Sequence, residues 1–158
     1  LTAKRSLTIG YPNSYFKLAT VPLTLKKNLS KFKDWDDINK KNVKVAVTLG
    51  TSQEQQAKKI FPNATLNVIE SPARDFQEVL AGRSEVHITS NIEAAKLVEQ
   101  YPEMSIVPVN EPKFPIPIAW ITPQDDQIWI NYLNHWIEIN KTQGFFDTMM
   151  NKYSLKSL

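Results

Sequence analysis

The sequence contains no cysteine. That absence excludes disulfides, thiolate metal sites and a cysteine nucleophile together, while fitting an oxidising or a reducing compartment equally. No apolar run approaches the ~20 residues of a membrane span. The opening Leu1-Thr2-Ala3-Lys4-Arg5 is not a signal peptide. Charge of one sign is also scarce. The net charge is +3, and the lysines sit in scattered pairs (Lys26–Lys27, Lys40–Lys41, Lys58–Lys59) rather than on one face, so nucleic acid is not an expected partner. No Gly-x-Ser-x-Gly turn exists to carry a serine hydrolase. His87 and His135 stand apart with no matching carboxylate cluster, so no metal site is expected. No cofactor is expected either, and no internal repeat or low-complexity tract is visible.

What is present is the composition of a soluble globular protein: 42% hydrophobic and 22% charged over 158 residues, enough for a real core. From Val43 the pattern turns regular. Residues 43–49 alternate and are β-branched, which predicts a strand ended by Gly50. Thr51 or Ser52 then caps a helix over 53–61, stopped by Pro62-Asn63. A strand follows at 65–69, then a helix that runs from Ser71-Pro72 to Leu80 and stops at Gly82. Further on come a strand at 86–89, a helix over 92–100 closed by Pro102, and a strand at 104–109. Alternating strands and helices with short connections predict an α/β fold, a parallel-rich sheet flanked by helices. Ligands in such sheets gather at the carboxyl ends of the strands. Gly50-Thr51-Ser52 and Thr89-Ser90-Asn91 are therefore the loops to watch.

The ends differ from this middle. Residues 21–25 are extended and apolar, and a short helix is expected around 34–39. Residues 111–123 are proline-rich and extended, with prolines 112, 115, 117 and 123 bracketing the apolar run 118–121, which predicts a crossing strand. Trp129, Leu133, Trp136 and Ile137 lie at helical spacing, Gly144 breaks that helix, and a second helix carries Phe145, Phe146, Met149, Met150 and Tyr153. These aromatics are expected to pack rather than hold a cofactor.

Several motifs then resemble a known family. They are Leu49-Gly50-Thr51-Ser52, the run from Ala81-Gly82-Arg83 through Ile88-Thr89, and the closing Thr142-Gln143-Gly144-Phe145 with Tyr153. To these are added Thr2-Ala3-Lys4-Arg5 and Tyr11-Pro12-Asn13-Ser14-Tyr15. In this order they resemble the bacterial periplasmic solute-binding proteins of the amino-acid ABC transporter type (family 3). Thr89-Ser90-Asn91-Ile92-Glu93-Ala94 and the Trp129–Trp136 segment are most similar to the cyclohexadienyl dehydratase branch. The resemblance implies a periplasmic-binding-protein-like (type II) fold. Residues 18–115 would form a complete second lobe, 1–17 a remnant of the first, and 116–158 a crossover strand and C-terminal helices of that incomplete first lobe. It also implies a chain that starts after the first lobe's opening strands, with apolar surface left on its last helices and self-association, or loss of a cleaved piece, as the outcome. Localisation would be periplasmic, after removal of a signal peptide that this chain does not contain.

The same resemblance assigns candidate site residues. Arg5 matches the arginine that grips a ligand carboxylate, a task suited to the two parallel donors of a guanidinium. Thr51 and Ser52, at a helix start after a strand, would hold an anion with backbone amides and a hydroxyl. Ser90 stands where the family carries an aspartate for the ligand's ammonium group. This departure favours a keto acid or plain carboxylate over a standard amino acid. Glu93 matches the glutamate of the dehydratase motif and would act as general acid toward a departing hydroxyl. Thr20 replaces a dehydratase lysine, which weakens the enzymatic reading. Tyr15 or Trp120 would supply an aromatic wall. The expected function is to bind a small carboxylate or amino-acid-like ligand for an ABC permease. The alternative is a prephenate or arogenate dehydratase built on the same scaffold.

Overall fold

In the computed structural model, residues 5–153 are described, and of Arg5 only the backbone. Thr2, Ala3 and Lys4 of the arginine-bearing motif lie outside them. The chain divides into two compact units, 20–113 and the pair of segments 1–19 and 114–158.

The 20–113 unit is built on a sheet whose strands are β1 (Phe16–Leu25, entering the unit at Thr20), β2 (Lys44–Thr48), β3 (Thr65–Ile69), β4 (Val86–Ser90) and β5 (Met104–Ile106). Their spatial order is β3-β2-β4-β1-β5. β2 runs parallel to β3 and β4, whereas β1 is antiparallel to both β4 and β5. Four strands therefore share one direction and β1 alone opposes them, which is the parallel-rich α/β arrangement expected. The helices are α1 (Trp35–Ile38), α2 (Ser52–Ile60), α3 (Asp75–Leu80) and α4 (Asn91–Gln100).

Strand alternation sorts the side chains onto two faces. Val45, Val47, Val86 and Ile88 pack on one face with Phe32, Trp35, Ile38, Ala57, Phe61 and Val107. Val21, Leu23 and Leu25 lie in the second cluster with Phe76, Val79, Ala94, Leu97 and Met104. The Trp35 indole ties the first cluster down, donating to Glu111 O at 2.8 Å and meeting the Phe61 ring at 5.9 Å. Pro22 lies in the middle of β1, between two partner strands. Its carbonyl accepts from Val107 N, and β5 pairs only from Leu23 onward. The missing proline donor therefore falls beyond the end of that ladder and interrupts no rung.

The other unit carries β6 (Lys113–Ile118, from Phe114 on), paired with β1, and the helices α5 (Gln127–Thr142) and α6 (Phe145–Lys152). The crossing strand falls within the extended stretch 111–123, on the proline-containing side of the apolar run 118–121. Pro115 and Pro117 are accommodated because β6 is bonded only to β1 and need not donate on its other side. β5 ends at Ile106, short of the expected 109. Tyr15, Trp120, Trp136 and Phe146 form a continuous ring cluster, with centroids 4.7 to 6.1 Å apart. Trp129 departs from the expectation of packing. It is 46% exposed, as are Ile128, Tyr132 and Ile139 to larger extents, so α5 presents an apolar outer stripe. No helix among the described residues is long and apolar enough to cross a membrane.

Candidate functional site

At the carboxyl ends of β2, β3 and β4 lies a cavity of about 270 Å³, wholly within the 20–113 unit. Its walls include Thr48, Thr51, Ser71, Arg74, Asp75, His87, Thr89 and Glu93. This is the place a parallel-rich sheet offers a ligand, because loops leave the strands there and helices begin.

Thr51 settles the open choice of cap. Its hydroxyl accepts from Glu54 N at 3.2 Å and donates to Thr48 O at 2.6 Å, while Ser52 is the first helical residue. Gly50 precedes it at φ +75°, a left-handed conformation that favours glycine. The Gly50 N–H donates to Glu54 Oε2 at 2.7 Å, which closes the turn from the other side. The Ser52 hydroxyl is turned to Gln53 Oε1 at 3.0 Å, and Ser52 does not line the cavity. Ser90 is the N-cap of α4, accepting from Glu93 N at 3.2 Å. Ser90→Ala is expected to cost about 1 kcal/mol, read as a lowered urea midpoint. An unchanged midpoint would show that the cap contributes nothing.

Glu93 reaches into the cavity with both oxygens engaged. Oε2 accepts a short hydrogen bond from the Thr89 hydroxyl, and Oε1 meets the Arg74 guanidinium at 3.2 Å. Any ligand that uses this carboxylate must displace or share one of those partners. Arg74 is largely exposed and also lies over the Phe76 ring.

Beneath this rim sits a buried pair that sequence reasoning missed. His87 Nδ1 lies 3.3 Å from Asp75 Oδ2, the histidine 2% and the aspartate 8% exposed. The approach lacks hydrogen-bond alignment, and neither ring nitrogen of His87 has a hydrogen-bond partner. Burial pushes the Asp75 carboxyl up. The His87 contact and charge, the Thr48 hydroxyl and the Phe76 N–H outweigh that burial and hold the carboxyl below its ordinary value. The signal for Asp75 and Arg74 was available. They follow β3 as Thr51 follows β2, and the strand-end rule applies to that loop as well.

Of the residues singled out in the sequence, Thr51 and Glu93 come together at the cavity, with Ser90 capping the helix that carries Glu93. Arg5 belongs to the other unit, where it opens a 3-10 turn over Arg5–Leu7. Thr20 is buried, its hydroxyl donating to Gln56 Oε1 at 2.7 Å. Tyr15 and Trp120 belong to the ring cluster of the other unit. Among the described residues no group of three or more histidine, aspartate or glutamate side chains is placed to hold a metal ion.

No protein-family model matches the chain. It is 24% identical over 136 residues to a cyclohexadienyl dehydratase of Pseudomonas aeruginosa, a match covering 86% of this chain and 50% of that protein. Among solved structures it superposes on an ancestral cationic amino acid solute-binding protein with a TM-score of 0.83. That pair is 30% identical, over 99% of this chain and 66% of the other. It shares its fold with the putative binding component of an ABC transporter from Wolinella succinogenes, solved with lysine. There the TM-score is 0.71 and the identity 23%, covering 96% of this chain and 65% of the other. The chain thus spans half the length of the curated relative and about two thirds of these solved structures. The resemblance read from its motifs is borne out by these neighbours.

Proposed function

For a chain that shares its fold, and 30% of its aligned residues, with a cationic amino acid solute-binding protein, we propose that it forms the ligand-holding part of a solute-binding protein serving ABC transport. One observation carries the reading. The cavity at the ends of β2, β3 and β4 gathers three threonine hydroxyls, a guanidinium and two carboxylates in one place. On this reading residues 18–115 form one lobe, and 1–17 with 116–158 belong to the other. The carboxylate-gripping role that the motif resemblance implies for Arg5 goes with the same reading. A periplasmic location and a permease partner go with the same reading. The exposed stripe Ile128, Tyr132 and Ile139 on α5 supports self-association of the chain.

The ligand is a small, amino-acid-like solute with a cationic group. Ser90 lacks the charge that would meet such a group, but Asp75 and Glu93 place two carboxylates at the cavity in its stead. The neighbours that bind lysine and cationic amino acids support this choice over a plain carboxylate.

The test is calorimetry of the chain with L-arginine, L-lysine and prephenate, alongside Glu93→Gln. Binding of a cationic amino acid is expected, and the substitution should weaken it by about 1.5–3 kcal/mol, the range for a hydrogen bond to a charged group. Affinity untouched by the substitution would remove Glu93 from the site. Failure of all three ligands to bind would sink the reading. A second reading, a prephenate or arogenate dehydratase, is favoured by the curated likeness and by Glu93 at the cavity. It requires conversion of prephenate to phenylpyruvate, with loss of about 10²–10⁴-fold in Glu93→Gln if the residue is the general acid.

A further inference from the structure

We propose that a proton on His87 and a cationic ligand group in the cavity compete for the Asp75 carboxylate, so that ligand holding weakens as pH falls. The proposal rests on the reading of this cavity as a site for a cationic group, and it adds how that site is regulated.

The geometry is specific. His87 and Asp75 both line the cavity, and both are more than nine-tenths buried. His87 occupies β4 between Val86 and Ile88, which face the opposite core, so its ring lies under α3 beside Asp75. An imidazole buried with no hydrogen-bond partner on either nitrogen is an unfavourable arrangement. Asp75 is the charged group that offsets it. Asp75 Oδ1 already accepts from Phe76 N at 2.9 Å, which leaves Oδ2 as the oxygen facing His87.

The remaining surroundings hold few rivals. β1 places Leu23 opposite His87, and β2 places Ala46 beside it with Thr48 further along, none of them titratable. α3 contributes Asp75. α4 contributes Glu93, which is tied to Arg74 and Thr89. A proton on His87 therefore adds positive charge directly behind the carboxylate that a ligand cation would use. The two cations repel, and each shields Asp75 from the other. By linkage the effect is reciprocal, so a bound cation expels the proton.

The experiment measures binding to the full chain of two probes, L-arginine and methylguanidinium, at about pH 8 and about pH 5.5. Calorimetry follows the first probe, and amide shifts of Thr48 and Thr89 follow the second. The expected result is binding about tenfold tighter at the higher pH, with proton release on binding at the lower. His87→Gln should abolish the pH contrast, and His135→Gln, a change on the exposed side of α5, should leave it intact. Asp75→Asn should also abolish it and serves as the second variant if His87→Gln does not fold. Equal affinity at both pH values overturns the proposal. So does a contrast that survives His87→Gln, which would place its origin outside the His87–Asp75 pair. If methylguanidinium shows the contrast while arginine does not bind, the competition stands and the amino-acid reading falls. If neither probe binds at either pH, both fall.

Discussion

Phe61→Ala is expected to destabilise the 20–113 unit by about 3–5 kcal/mol. Phe61 closes α2 and is 1% exposed, with its ring against Trp35 and the Val45, Val47 and Ile88 side chains in the same cluster. Truncation removes the whole ring from a place where backbone bonds hold the chain: Phe61 N donates to Ala57 O, and Phe61 O accepts from Ala64 N. Such a site collapses poorly, so the cavity term adds to the lost transfer term. A domain of this size has about 5–15 kcal/mol in total, and the change takes a large share of it. The strands that lose support, β2 and β4, are those whose ends carry Thr48, Thr51, Thr89 and Glu93. Hydrogen exchange of the β2 and β4 amides reads the loss directly. Protection factors within tenfold of the parent, about 1.4 kcal/mol, would mean that Trp35 and its neighbours refill the space.

Gly10→Ala is the second large effect, and it acts in the other unit. A β-carbon on Gly10 would stand 2.6 Å from Thr122 Oγ1, 2.7 Å from Pro123 O and 2.9 Å from Ile130 Cδ1. The threonine and isoleucine side chains have some freedom to give way, but the Pro123 carbonyl is backbone. Gly10 and Thr122 also exchange two backbone hydrogen bonds of 3.0 Å, which fixes the separation of the two segments. Relief therefore means breaking that bridge or shifting α5 through Ile130, which is itself buried. Overpacking of this kind costs about 1–3 kcal/mol. It should appear as lost protection in the first turns of α5. A variant with unchanged α5 exchange would show that the bridge opens without cost.

Much of the middle of the chain was legible because each element announces itself locally. The alternation Val43-Lys44-Val45-Ala46-Val47 marks β2, and Gly50 with Thr51 marks the turn into α2. The C-terminal helices followed from aromatic spacing, although that spacing did not show which side of α5 would be covered. Trp129 and Trp136 share one helical pattern, yet Trp136 joins the ring cluster and Trp129 is half exposed. Periodicity reports a face, not its partner. The strand β6 lies within the extended proline-rich stretch 111–123, because a strand bonded on one side tolerates prolines. The largest omission at the site is the Asp75–His87 pair. His87 read as an isolated core histidine, since its carboxylate partner sits twelve residues earlier on another element and no local pattern links the two. Thr51 and Glu93, which line the cavity, were singled out because strand-end loops and a motif pointed to them. Asp75 needed the sheet's crossover, which brings the start of α3 over β4.

The lone strand that opposes its four companions also sets an order of events. β1 is made before β2, β3, β4 and β5, but its partners in the 20–113 unit are β4 and β5, so residues near Thr20 must wait for residues near Ser90 before a rung within that unit can close. During synthesis an almost wholly apolar stretch, Val21-Pro22-Leu23-Thr24-Leu25, leaves the ribosome before either β4 or β5, its partners in that unit, has been made. Pairings so distant along the chain are slow to form, and a waiting unpaired strand is the part of a nascent protein most open to aggregation. Pro22 stands in the middle of that stretch. By withholding one donor from any chance partner, it interrupts the ladder that a stray strand would need, while the native neighbours, as built, never ask for it.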